Sequence, residues 1–496
     1  MDISEKFHHN DQLEQIATNT EDATDLEKTV QVDTLHQDEA MKVLASYEGP
    51  FEWTPEEEKK VVRKIDRRLL SLLVLTYGLQ YYDKAMLSQA ALFGLRSDLK
   101  LTIGERYSYS SAIFYLGFIC GAYPAIVLTQ RYPIERVLFC IVILWGICLM
   151  LTAACHNYQG LYAQRFFLGF LESGVSPGFM MVVGGWYRKQ EQAFRMGAWY
   201  SATGYVSIFA PLINYGLGHI QGSLSPWRYM YLVAGAITVL WSFIILFFLP
   251  PDPVRAKRFT ARERYIAVAR MRQNNAGVRN THFKTSQLWE LLRDVKFWLL
   301  FATAFCMLVV NGPVSTFTPI IINQLGFSGL NSLLLVMPAG AIIGTIELMT
   351  PYIAMNSGLS SGELFALAIS STGGRLFAVY ILASYGGGYA VLMSIVIVNS
   401  AGYTKRSLSS SGVFIGYCLG NFLGPLVFKA TEAPEYRTGW ITTVATLSAT
   451  IVLIITYRFV CVWDNKKRDR AGSEGFDHAY EDDFTDKTNK QFRYTL

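Results

Sequence analysis

Two pairs of charged residues sit where a chain can least accommodate them. In "YGLQYYDKAMLSQ", residues 77–89, Asp83 and Lys84 stand side by side inside an otherwise apolar stretch. In "AQRFFLGFLESGVSPG", residues 163–178, Arg165 and Glu172 lie seven residues apart, which is two helical turns on one face and about 10 Å along the axis. An arginine grips a carboxylate through a planar fork and keeps its proton. A glutamate set between an apolar wall and a cation can bind and release protons near neutrality. These residue types therefore offer anion recognition coupled to proton exchange. The alternative is structural, with Asp83 and Lys84 neutralising each other or a neighbouring helix, and Arg165 tied to Glu172, to hold a helical bundle together.

On a helix, Tyr77, Gln80, Lys84 and Ser88 fall at spacings of three and four, with Asp83 at the edge of the same stripe. That stripe must face protein or water, because a charge at the bilayer centre costs about 2.5 to 3.5 kcal/mol on insertion scales. The candidates are Asp83 and Glu172 for proton coupling, and Lys84, Arg165 and Gln80 for substrate binding. Asn311, Thr316, Asn323, Asn399 and Asn421 are further polar residues in apolar segments. They are candidates for hydrogen bonds to a substrate body, or for bonds between helices worth about 0.6 kcal/mol each. Gly312 and Pro313 predict a break in their segment. Glu347 is an extra acid that reads as a second proton site or as a residue displaced by the shortfall described next.

The elements that must position these groups are membrane spans. The chain has 496 residues, 51% of them hydrophobic, and a mean hydropathy of +0.24, too apolar for an ordinary soluble protein. Apolar segments of about 20 residues, the length that crosses a bilayer, start near Leu69, Ser108, Val137, Tyr158, Met196, Tyr229, Phe297, Asn331, Leu376, Ser411 and Ile441. A twelfth is expected between Thr350 and Gly374, but its apolar core, "LFALAI", is far short of a span. The ninth span is thus short or defective. Either an alternative arrangement satisfies the topology or the sequence records a splicing or gene-model error; the error is the favoured reading, with a longer form expected to carry the activity.

The expected fold is all-α, two six-helix bundles that are structural repeats, with a substrate bound between them at mid-membrane. The boundaries are a disordered tail at 1–53, an N-terminal bundle at 54–249, a central loop at 250–296, a C-terminal bundle at 297–463 and a polar tail at 464–496 with no evident role. Order is expected to begin at Thr54, an N-cap followed by Pro55 and by Glu57 in a capping box.

The basic residues alternate by loop. Arg63, Lys64, Arg67 and Arg68 precede the first span, the segment from Arg255 to Lys296 is the most basic, and Lys405, Arg406, Lys466, Lys467 and Arg468 flank the last spans. Both termini and the central loop are therefore expected on the cytoplasmic side. The formal net charge of +5 reports topology and anionic lipid rather than nucleic acid, since no aromatic-basic interleaving accompanies it. The chain opens without the pattern of a secretory signal peptide. The seven cysteines have no metal-ligand spacing and read as small core residues. No nucleophile, metal or phosphate-cradling motif suggests an enzyme.

The run "DRRLLSLLVLTYGLQYYDK", the "RFFLGFLESGVSPG" of the fourth span, "NGPVSTFTPIIINQLGFSGLNSLLLVMPAG", and "NSAGYTKRS" with "GVFIGYCLGNFLGPLVF" resemble the fungal anion:cation symporters of the major facilitator superfamily, in the allantoate permease-like branch. The resemblance covers Pro55 to Trp463. It implies proton-driven uptake of a small organic carboxylate by a monomer in the plasma membrane, powered by the proton gradient and needing no cofactor. Matched position by position, it gives the proton and substrate roles to Asp83, Lys84, Arg165 and Glu172. The carboxylate itself stays open among allantoate, ureidosuccinate, nicotinate, vitamins and short peptides.

The sequence also departs from that pattern. Lys84 stands where relatives have Arg, Ala122 where they have Glu, Tyr403 where they have His, and Gln130 precedes Arg131 where they have Asp. A drug exporter of the same superfamily would show "GxxxGPxxGG" in the fifth span. This chain reads "GYVSIFAPLINYGLG" there, which leaves export of drugs or metabolites, or a transport-dead sensor or pseudogene product, as the alternatives.

Overall fold

The computed structural model describes residues 52–250, 258–272, 284–357, 385–433, 436–471 and 485–495, except 221, 251, 254, 257, 325 and 490, together with 47, 49, 50, 252, 253, 255 and 256. Among the described residues every regular element is helical. The short ninth span expected between Thr350 and Gly374 falls mostly outside them, at 358–384.

The chain enters its first helix, α1 (Pro55–Ile65), through the expected capping box. Thr54 Oγ1 accepts from the Glu57 N–H at 3.2 Å, and the Glu57 carboxylate accepts from the Thr54 N–H at 3.1 Å. Val61 and Ile65 are buried, so α1 lies against the bundle before a wider turn, Asp66–Leu70, leads into α2 (Ser71–Ala90).

The N-terminal bundle continues with α3 (Arg106–Arg131) and α4 (Ile134–Leu151). Its fourth crossing is split into α5 (Tyr158–Glu172) and α6 (Val175–Trp186), and its fifth into α7 (Lys189–Tyr200) and α8 (Ala202–Leu217), before α9 (Pro226–Phe248) closes it. Gly169 lets α5 seat on the backbone of Phe114 in α3, where a Cβ would collide with the Phe114 carbonyl.

Two loop helices follow, α10 (Ala261–Arg272) and α11 (Thr285–Leu292). The second bundle then contains α12 (Val295–Val309), α13 (Asn311–Gln324), α14 (Gly329–Leu334), α15 (Met337–Ser357), α16 (Tyr385–Val398), α17 (Tyr403–Leu423) and α18 (Arg437–Ala471). The break in the seventh crossing falls at Val310, two residues before Gly312, which itself lies within α13.

The central loop divides its allegiance. Glu263 of α10 takes both carboxylate oxygens to Lys64 Nζ at 2.7 and 2.6 Å, Arg262 pairs with Glu57, and fully buried Arg270 pairs with Glu191. On the other side, Glu290 of α11 pairs with Lys405 at 2.8 Å. All the ion pairs between described residues at this end of the molecule stay within one bundle and its share of the loop. At the opposite end the bundles are tied across: the Tyr107 hydroxyl donates to the Thr316 carbonyl at 3.0 Å, and the Ser111 and Thr316 hydroxyls meet at 2.8 Å.

Burial pushes the Glu263 carboxyl up, but the Lys64 ammonium and the Thr260 N–H outweigh it and hold the group below the usual carboxylate range. A depressed folded value means that the tie is fully present above the ordinary glutamate pKa of about 4.3 and is lost as pH falls through the lower folded value. Rate-corrected hydrogen exchange across 261–272 is thus expected to match at about pH 7 and about pH 5 and to accelerate only below about pH 4. Loosening between the two higher values would contradict the assignment.

The polar C-terminal segment has a structural role that its composition hid. Residues 485–495 return to the end of the C-terminal bundle, where Asp486, Asn489, Phe492 and Tyr494 are buried. Asp486 pairs with Lys405 at 2.6 Å and accepts from the Tyr494 hydroxyl at 2.6 Å, while Arg468 donates to the Asp486 and Phe492 carbonyls. Asp486→Asn is expected to lower stability by about 1 to 3 kcal/mol. The exposed Arg493–Asp469 pair is worth at most about 1 kcal/mol, so Arg493→Ala serves as the control. Equal melting temperatures for the two variants in detergent would show that the tail contact carries no weight.

Candidate functional site

The polar stripe of α2 turns inward, as its spacing requires. Tyr77, Gln80, Tyr81 and Lys84 line a cavity of about 680 Å³ between the bundles, facing Asn311 of α13 and Glu347 of α15. Ser88 lies off the cavity, its hydroxyl donating to the Ala85 carbonyl. A second cavity of about 520 Å³ shares Tyr77, Lys84, Tyr200 and Tyr417 with the first and is otherwise walled by residues such as Phe118, Trp199 and Met393. Among the described residues lining the two, only Lys84 and Glu347 carry charge.

Lys84 closes no ion pair among the described residues. Its ammonium sits over the rings of Phe118 and Phe114, with centroid distances of 4.9 and 5.4 Å. Aromatic faces attract a cation weakly and leave its hydrogen-bonding capacity free for a ligand.

Behind Lys84, away from the cavities, lie the other three charged candidates. Asp83 and Glu172 are both 0% exposed, and none of their four carboxylate oxygens has a hydrogen-bond partner among the described residues. Trp145 neighbours Asp83, but its indole N–H closes no bond. Gln80 Nε2 donates to the Glu172 backbone carbonyl at 3.1 Å, which fixes the end of α5 against α2. Arg165 is buried, lies 5.9 Å from the Phe114 ring centroid and leaves its Nε unbonded. Lys84 and Arg165 lie within electrostatic reach of Glu172, as do Glu172 and Arg165 of Asp83.

The four sequence candidates therefore gather, yet neither Asp83–Lys84 nor Arg165–Glu172 closes as an ion pair; the charges face each other between helices instead. Buried carboxylates without donors are costly to keep ionised. Here that cost is met only by two nearby cations, and either carboxylate can take a proton when a cation turns to another anion.

The remaining candidates separate. Asn311 reaches the cavity and donates from Nδ2 to Asn421 Oδ1 at 2.6 Å; Asn421, which lies outside the cavity, donates in turn to the Tyr417 carbonyl. Thr316 is spent on the tie to Ser111, and Asn323 donates to the Phe327 carbonyl. Asn399 anchors the tail, donating to the Thr495 carbonyl and to the Tyr457 hydroxyl. These three read as bonds between helices or segments. The tyrosine wall of Tyr81, Tyr115, Tyr200 and Tyr417 was not singled out in the sequence, although Tyr77 and Tyr81 share the spacing of Gln80 and Lys84.

Two half-bundles around a polar cavity, each crossing the membrane several times, match known transporters in fold and sequence alike. The Major Facilitator Superfamily model matches residues 73–425. The chain belongs to the Major Facilitator Superfamily. It is 35% identical over 483 residues to an uncharacterised transporter of Schizosaccharomyces pombe, covering 92% of this chain and 89% of that one. It is 32% identical over 491 residues to allantoate permease of Saccharomyces cerevisiae, covering 92% and 90%. The resemblance carried by the sequence motifs is borne out. The proton:xylose symporter XylE superposes with a TM-score of 0.61 at 14% identity, over 78% of this chain and 95% of the symporter, and shares the fold of this multi-pass superfamily transporter.

Proposed function

We propose that this superfamily transporter imports a small organic carboxylate together with protons. One observation carries the reading: among the described residues, Lys84 faces the cavity between the bundles without an ion pair, and two carboxylates with no hydrogen-bond partner, Asp83 and Glu172, are buried behind it. A substrate carboxylate seated on Lys84 draws the cation's field away from Glu172, which then holds its proton more tightly. Substrate and proton thus favour each other's binding, the coupling that symport requires. Arg165 is the second cation of the cluster and steadies whichever carboxylate remains charged. The likeness to allantoate permease favours carboxylates of the allantoate, ureidosuccinate or nicotinate kind.

The distribution of basic loops favours the cytoplasmic side for the end bearing the central loop, and the resemblance to the fungal symporters favours the plasma membrane. The bundles are tied across the outer end through Tyr107 and Thr316, while the ion pairs at the inner end stay within each bundle, an arrangement that suits an inward-facing or occluded state. The test is uptake of labelled allantoate, ureidosuccinate and nicotinate into proteoliposomes with an imposed proton gradient, using the 496-residue chain and any longer transcript product. Accumulation of at least one compound, abolished by a protonophore, is the expected result. Transport of none, or accumulation indifferent to the gradient, would overturn the reading.

A further inference from the structure

Beside the coupling carboxylates lie two hydrogen-bond donors that substrate binding does not use. Trp145 of α4 is 0% exposed and Tyr231 of α9 is 1% exposed, and neither the indole N–H nor the phenol hydroxyl has a hydrogen-bond partner among the described residues. Both neighbour Asp83, whose two oxygens are equally unpartnered there. A buried polar group left unpaired is costly. Here two idle donors and an idle acceptor of complementary kind share one place. The donors stand on rigid backbone, because α4 and α9 meet at Gly146 and Gly235, where a Cβ on Gly235 would press on the Gly146 carbonyl and on Met150. Trp145 adjoins the first glycine and Tyr231 lies about one turn before the second. The Tyr231 ring also stands edge-on to that of Trp227, with centroids 6.2 Å apart.

We infer that Trp145 and Tyr231 are positioning residues of the coupling site: they receive the Asp83 carboxylate when it gives up its proton, and so make that release reversible within the transport cycle. This rests on the proton-coupled reading proposed above and deepens it. The Asp83 O–H bond breaks, the proton passes to water on the side to which the carrier is open, and the charged oxygens left behind accept from the indole N–H and the phenol O–H, which keep their own protons. Donors that bond to the charged form of a carboxyl favour that form. The other titratable or charged groups facing Asp83 are Glu172 and Arg165 of α5, with Tyr82 and Lys84 beside it on α2; Cys155, beyond the end of α4, reaches Tyr231. Glu172 lies in the field of Asp83, so the two carboxyls titrate as a pair.

The test reads Asp83 directly and needs no substrate. Infrared difference spectra of the full chain in lipid are recorded as a function of pH, with the carboxyl C=O band of Asp83 identified by its loss in Asp83→Asn and that of Glu172 by its loss in Glu172→Gln. Tyr231→Phe removes one oxygen and Trp145→Phe removes the indole N–H. Neither breaks a bond between described residues, so the melting temperature of Tyr231→Phe is expected to match the wild type. Losing a donor makes the Asp83 anion costlier, so the carboxyl keeps its proton to higher pH. The midpoint of its band is expected to rise by about one unit in each variant, the scale of a hydrogen bond to a charged group. Should Trp145→Phe fail to fold, Tyr231→Phe carries the test.

Failure of this inference and failure of proton coupling are separable. An unmoved or lowered Asp83 midpoint in the folded variants marks the two aromatics as packing residues and excludes the inference, while proton coupling stands. A wild-type Asp83 band that does not change with pH while that of Glu172 does excludes it as well. If neither carboxyl responds to pH in the wild type, proton coupling and this inference fall together.

Discussion

Uphill accumulation vanishes in Glu172→Gln, while exchange of labelled for unlabelled substrate across the membrane persists. Glutamine keeps the size of the side chain but cannot titrate, so the variant severs the link to the proton gradient without emptying the cavity, which Glu172 does not line. Accumulation ratios are expected to fall to about unity, because exchange needs only the substrate-loaded half of the cycle. The fold should tolerate the change. The carboxylate oxygens of Glu172 accept no hydrogen bond from a described residue, so none is lost. An unchanged melting temperature accompanied by unchanged gradient-driven accumulation would remove Glu172 from the coupling role.

The second large effect is on binding. Lys84→Gln is expected to lower affinity for a carboxylate substrate by about 2 to 5 kcal/mol, roughly thirtyfold or more, the cost of truncating one partner of a buried charge pair. Because Lys84 closes no ion pair among the described residues, the loss falls on the ligand rather than on folding. Lys84→Arg keeps the charge and is expected to retain binding, with geometry altered by the planar fork. Titration of the binding-induced thermal shift reads both variants. Wild-type affinity in Lys84→Gln would mean that the anion is recognised elsewhere.

The fold was legible because a bilayer imposes long apolar runs, and the break positions of loops and basic residues follow from it. The stripe of Tyr77, Gln80 and Lys84 was legible for the same reason: charged residues within a span have to turn away from lipid, and helical spacing says which residues turn together. Thr316, Asn399 and Asn421 were not separable from Asn311 in this way. A polar side chain in a span looks the same in sequence whether it meets a cavity or another helix, and the partners that decide the matter, Ser111, Thr495 and Asn311, lie 205, 96 and 110 residues away.

Glu347 shows the same limit. As an isolated acid it was ambiguous, and what gives it a place is a hydroxyl 144 residues away on another bundle. The docking of the tail was not legible because its burial depends on Lys405 and Arg468. Charged and polar residues are solvated by default, and only the tertiary fold supplies the counter-charges that draw them inside.

The most direct measurement of the central claim is substrate-driven proton movement. Proteoliposomes carrying a pH-sensitive dye in the lumen are given an inward gradient of the best-binding carboxylate with no imposed pH gradient. Coupled import predicts that the lumen acidifies as the carboxylate enters, and that Glu172→Gln abolishes the signal while exchange continues. Carboxylate entry with no change in luminal pH in the wild-type protein would contradict proton coupling.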